Sequence, residues 1–177
     1  MDRMTPLDAA FLQAEDEEPG VSLAICSVAV FEGPPPSTEE FAELLRGRLP
    51  LIPRYRQKAR QVPFDLGPPV WVDDEHFDLG YHLRRTALPA PGRDAELAAL
   101  VGRVMAQKLD RSKPLWETWL AEGLDGGRWA LVSKVHHCMV DGVSGTDLLS
   151  VVFDSERRSP PAEIPPPWEP APEPSIP

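Results

Sequence analysis

Two adjacent histidines, with an aspartate and a glycine four and five residues after the second, stand in the run Lys134–Gly145, KVHHCMVDGVSG. An imidazole titrates near neutrality, so either His136 or His137 could take a proton from a hydroxyl or thiol as a general base. The same residue types allow other readings. The run could be a tight strand-to-helix turn that happens to hold two histidines. It could be a metal site, but side chains on a strand alternate between faces, so His136 and His137 would diverge and Asp141 alone leaves too few ligands. Cys138 could be a nucleophile paired with a histidine, but nothing else basic flanks it and a small apolar filler is a sufficient account. Asp141 would either fix an imidazole tautomer or hold the loop through an Arg or backbone N–H groups. Gly142 would permit a backbone conformation or close approach that a Cβ forbids.

These residues need a frame. PLWETWLAEG (114–123) and RWALVSKVHH (128–137) are strand-like runs around LDGG, whose Asp-Gly and Gly-Gly supply positive-φ positions, so a hairpin is expected here. Alternation puts Trp129, Leu131, Ser133, Val135 and His137 on one face, and Ala130, Val132, Lys134 and His136 on the other. The second histidine then lies at the C-terminal end of a strand, where α/β sheets tend to carry sites. After Gly142, Leu148, Leu149, Val152 and Phe153 share one helical face that ends near Asp154.

Upstream, Thr5-Pro6 is an N-cap with proline at the first helical position, opening a short helix. The acidic block EDEE (15–18) reads as a solvated loop. VSLAICSVAVFEG (21–33) reads as a buried strand. Ser37 and Glu40 form a capping box before an amphipathic helix over 38–49. Short strands are expected near 56–62, 70–73 and 81–87, with His76 and His82 in surface or core roles. Leu97, Leu100, Val101, Val104, Met105 and Leu109 repeat at helical spacing and predict a helix over about 93–109, with Met105 as core filler. Residues 1–155 would form one domain, and the proline-rich 156–177 an extended linker.

Composition narrows the partners. The 177 residues suit one domain of ordinary core size, and the net charge of −10 argues against a nucleic-acid partner. That acidity is not confined to the tail: residues 154–177 carry a net −3 and the rest −7. It offers no help at an anionic membrane surface either. No signal peptide or spanning segment is visible, and two cysteines, Cys26 and Cys138, suggest a reducing cytoplasm. Contact with lipid is left as a peripheral association, at the inner face of a membrane or on lipid inclusions.

HHCMVDG matches the HHxxxDG motif of CoA-dependent acyltransferases. With MTPLDAAFL at the start, PLWE upstream and DGVSG after the motif, the chain from Met4 to about Phe153 resembles the bacterial wax ester synthase/diacylglycerol acyltransferase family. The resemblance implies an α/β fold, a mixed sheet flanked by helices, forming a chloramphenicol acetyltransferase-like half of a two-domain enzyme. It implies that His137 is the general base, beside His136, acting on the hydroxyl of a diacylglycerol or long-chain alcohol with acyl-CoA as co-substrate. Asp141 would support the loop, Gly142 is the motif glycine, and Pro114, Leu115 and Trp116 would shape the strand and a substrate channel. No metal or organic cofactor is implied. A C-terminal half-domain is expected as partner. An isolated half that binds lipid or a partner half without turnover, a condensation-type enzyme using a carrier-protein thioester, and an H-x4-D acyltransferase with His136 as base are the competing readings.

Overall fold

The computed structural model describes residues 2–18, 20–140, 153 and 168–172. Asp141, Gly142, the helix expected after them and most of the expected linker lie outside the described residues. Strand β1 (Asp2–Arg3) precedes α1 (Pro6–Glu17), whose N-cap Thr5 accepts the Asp8 N–H and whose first position is Pro6, as expected. Strand β2 (Ala24–Phe31) is followed by α2 (Thr38–Arg48), where the Ser37–Glu40 capping box is closed in both directions. Then come β3 (Gln57–Arg60), β4 (Val70–Asp73), the single turn α3 (Leu79–His82), β5 (Leu83–Ala87) and α4 (Asp94–Ala106). The hairpin is β6 (Trp116–Leu124) and β7 (Arg128–His136), joined at Asp125–Gly127, with φ of 68° at Gly126 and 70° at Gly127. Those left-handed values are why the turn uses glycine.

The hairpin is the middle of a four-stranded sheet ordered β2-β7-β6-β5. β2 runs antiparallel to β7, with Ala24 opposite His136 and Phe31 opposite Trp129, whereas β5 runs parallel to β6. The sheet is therefore mixed, as expected. A second, antiparallel sheet has the order β1-β4-β3.

Strand alternation sorts β7 into two cores. Ala130 and Val132 pack with Leu97, Leu100 and Val104 of α4, while Leu131 and Val135 join a larger cluster that includes Leu12, Phe41, Leu45, Tyr55, Trp71 and Trp116. The second cluster is covered by α1, α2 and the three-stranded sheet.

Three expectations are corrected. EDEE is not a solvated loop: Glu15, Asp16 and Glu17 finish α1, and Glu15 is only 2% exposed. A run of like charges hides which member lies on the inward stripe of a helix. The strand in 21–33 is not buried on both faces, because it occupies the sheet edge and leaves Ile25, Val28 and Val30 exposed. An apolar run cannot say whether its second face or its edge is covered. The helix over 93–109 stops at Ala106, and Leu109 packs against the larger cluster rather than the one beneath α4.

A buried lysine lies against that stop. Lys134, fully buried, donates from Nζ to Val104 O at 2.7 Å and also to Gln107 O, so its charge lies against the carbonyls at the C-terminal end of α4, where Val104 O also accepts the Gln107 N–H at 3.4 Å. Burial pushes its pKa down, while Glu117, 3.8 Å away, opposes that shift. Lys134→Met keeps the aliphatic stem and removes the ammonium donor from both carbonyls. It should cost about 2 kcal/mol, read as a lower urea midpoint together with faster amide exchange over the last turn of α4.

Candidate active site

β7 closes with two backbone bonds and a turn. His136 N donates to Leu115 O at 2.9 Å, and His137 N donates to Leu23 O at 2.9 Å. The chain then leaves the strand in a 3-10 turn, His137–Met139, in which Val140 N returns to His137 O at 3.2 Å. His136 caps this turn with its own side chain, since Nδ1 accepts the Cys138 N–H at 3.2 Å.

That turn changes how the histidines diverge. His137 no longer follows strand alternation, and both rings meet the same helix. Phe11 of α1 lies over His137 with ring centroids 4.1 Å apart, and Glu15, one helical turn further on, places Oε2 3.6 Å from His136 Nε2. Phe11 and Glu15 were not singled out by sequence. The available signal was their i, i+4 spacing beside the inward-facing Leu12.

The two imidazoles have unequal freedom. His136 is 1% exposed. Because its Nδ1 is an acceptor for Cys138 N–H, the proton of the neutral ring sits on Nε2, facing Glu15, and neither nitrogen has a lone pair to offer a substrate. Burial pushes its pKa down to about 4, against the opposing pull of Glu15. His137 is half-buried as a whole, and its Nδ1 is itself buried without a hydrogen-bond partner among the described residues. The Cys138 thiol is pushed up to about 12 by burial, so it stays protonated at neutral pH and is no nucleophile there. Among the described residues, no group of three or more His, Cys, Asp and Glu side chains is arranged to hold a metal ion.

Pro114, Leu115 and Trp116 are all buried. Leu115 reaches the motif through its carbonyl, which receives the His136 N–H. Trp116 is pinned at both ends: Nε1 donates to Tyr55 O at 2.8 Å, and its ring stacks on His82 with centroids 4.4 Å apart and planes 10° off parallel. His82 Nδ1 in turn donates to Trp116 O at 2.8 Å. His82 is thus a core residue, its pKa driven down to about 4 by burial, and His76 is on the surface. Beside the 3-10 turn a cavity of about 210 Å³ is lined by Arg3, Asp8, Arg54, Trp71, Cys138 and Met139 among others.

Known proteins share this arrangement of elements. The family model for the wax ester synthase/diacylglycerol acyltransferase catalytic domain matches residues 4–176. The chain is 51% identical over 154 residues to the probable diacylglycerol O-acyltransferase tgs1 of Mycobacterium tuberculosis, covering 87% of this chain and 33% of that protein. It is 41% identical over 158 residues to the probable diacylglycerol O-acyltransferase tgs3 of the same organism, covering 89% of this chain and 58% of that one. Among solved structures it resembles the wax ester synthase/diacylglycerol acyltransferase from Marinobacter aquaeolei VT8, with a TM-score of 0.66 and 37% identity over 80% of this chain and 36% of that chain. The starter condensation domain of rhizomide synthetase, with a TM-score of 0.63 at 18% identity, shares the fold alone. The chain thus spans about a third of the length of tgs1 and of the Marinobacter enzyme.

The two core histidines make stability sensitive to acid. His82 and His136 each titrate near 4 when folded, against a reference value of 6.5. Between those values the unfolded chain binds more protons, so their contribution is complete above about pH 6.5 and is lost as pH falls toward about 4. His136→Asn keeps an acceptor near the place of Nδ1 and removes the titration. Urea melts across this window should show its slope of stability against pH reduced by at most about 1.4 kcal/mol per pH unit; an unchanged slope would contradict the assignment.

Proposed function

Because the chain belongs to the wax ester synthase/diacylglycerol acyltransferase family, we infer that it supplies the base-bearing part of an O-acyltransferase. The reaction moves a fatty acyl group from acyl-CoA to the hydroxyl of a diacylglycerol or a long-chain alcohol, giving triacylglycerol or wax ester. The observation that carries the assignment of the base is the engagement of His136. With Nδ1 bound to Cys138 N–H and Nε2–H turned to Glu15, it leaves His137 as the imidazole of the pair free to accept a proton.

In this reading His137 removes the acceptor hydroxyl proton as that oxygen attacks the thioester carbonyl. The tetrahedral intermediate collapses, the C–S bond breaks, and the proton passes to the departing CoA sulfur. No covalent acyl-enzyme, metal or organic cofactor is called for. Phe11 steadies the ring, and Asp141 and Gly142 shape the loop beyond it. Pro114, Leu115 and Trp116 back the acyl channel through the strand they begin.

The remaining wall belongs to a C-terminal half-domain, joined through the proline-rich segment after residue 155. Residues 168–172 of that segment contact the described domain at two points. There Arg56 lies over the Trp168 ring at 4.6 Å, and Ala171 N donates to Asp73 Oδ2 at 3.0 Å. Among the described residues no helix is long and apolar enough to cross a membrane, and we place lipid access in a peripheral contact.

The test is to co-express the chain with the C-terminal portion of a relative and to follow labelled acyl-CoA into triacylglycerol or wax ester. His137→Ala should lower turnover by about 10²–10⁴-fold, while His136→Asn leaves most of it. Loss with His136→Asn and retention with His137→Ala would favour His136 as base. Absence of turnover with either acceptor in the unsubstituted pair would favour a non-catalytic half.

A further inference from the structure

α1 carries one buried acid, and its two oxygens do different work. Glu15 Oε1 accepts the Leu23 N–H at 3.1 Å. The carbonyl of the same Leu23 accepts the His137 N–H at 2.9 Å. One carboxylate oxygen is therefore linked to the main chain of His137 through a single residue. The other oxygen, Oε2, lies 3.0 Å from Arg111 Nη2 and 3.6 Å from His136 Nε2. The longer distance exceeds a hydrogen bond, so Glu15 acts on His136 through its field.

A carboxylate is costly to bury, and the arrangement around Glu15 shows what holds it. Arg111 also donates to Leu12 O at 3.0 Å and contacts Asp16 at 3.1 Å. Lys108 Nζ reaches Glu15 O and Glu18 O. The last turn of α1 has no basic residue of its own, so two cations from the segment between α4 and β6 serve its C-terminal carbonyls. They hold the helix where Phe11 and Glu15 meet the histidines, and Arg111 shares Glu15 Oε2 with His136.

We propose that Glu15 is the positioning residue of the histidine pair. Through the Leu23 peptide it fixes the main chain of His137, and through Arg111 it locks α1 so that Phe11 fixes the His137 ring. The inference rests on the reading of His137 as the base. Its test needs no turnover, so it can fail while that reading stands, and the reverse.

The experiment is amide exchange and ring-to-ring NOE measurement by NMR on the full chain. Glu15→Leu preserves volume and removes both acceptor oxygens. It should speed exchange at His137 by roughly tenfold or more and weaken the Phe11–His137 NOE, with Leu131 and Val132 in mid-β7 unchanged. Glu15→Gln still accepts the Leu23 N–H and should restore protection at His137. Arg111→Gln, which touches neither Leu23 nor a histidine, should weaken the Phe11–His137 NOE; if Glu15→Leu does not fold, this variant and Glu15→Gln decide. Unchanged exchange at His137 in Glu15→Leu overturns the proposal, as does equal loss of protection across β7, which would mark Glu15 as a prop of the whole fold. So do a Glu15→Gln chain unprotected at His137 and an unaltered NOE in Arg111→Gln.

Discussion

A backbone N–H donated to a side-chain nitrogen ends the central strand: Cys138 N to His136 Nδ1, 3.2 Å. Everything about the site depends on that bond. It occupies one nitrogen of His136, dictates that the proton of the neutral ring sits on the other, and bends the chain so that His137 leaves the register of β7. A continued strand would have sent the rings into opposite layers. With the turn, one ring becomes part of the core and the other stays half-buried beside α1. Two adjacent residues of the same type thereby acquire different chemistry from their surroundings.

The bond survives only while His136 is neutral, because a protonated Nδ1 cannot accept. Burial ensures this at ordinary pH by driving its pKa to about 4. The same burial would be ruinous for an unpartnered charge, and the neighbouring ions are correspondingly arranged. Lys134 is turned onto the carbonyls that end α4, Glu15 onto Leu23 N–H and Arg111, and Arg111 onto the end of α1. Lys134 and Glu15 are buried ions with hydrogen-bonding partners, whose removal singly is far more damaging than the loss of surface pairs, and Arg111 is partly exposed.

The mixed sheet turns this local chemistry into a rigid platform. β7 is paired on both sides, by β2 and β6, and both its faces are covered. The PLW segment belongs to the same platform. Leu115 O closes the ladder at His136, while Trp116, tied to Tyr55 O and stacked on His82, anchors the beginning of β6 in the larger core. A sequence signature next to the histidine motif can thus act from underneath, by fixing where a strand starts.

Much was legible in the chain itself, because it depends on local rules. Thr5-Pro6 and Ser37–Glu40 start helices through bonds made within one turn. Asp125-Gly126-Gly127 makes a hairpin because glycine tolerates positive φ, and the two-residue period of β7 divides its apolar side chains between two cores. HHCMVDG with PLWE pointed to the family. What tertiary structure alone decided involves partners far apart in sequence: that β2 is an edge of the described sheet, that the end of α4 at Ala106 rests on Lys134, that Glu15 of an acidic block is buried against Arg111 and His136. The difference between His136 and His137 belongs to this second group. Strand alternation ranked them by direction, but only the turn at Cys138 and the packing of α1 determined which nitrogen is occupied, since burial and hydrogen-bond geometry are properties of the assembled chain.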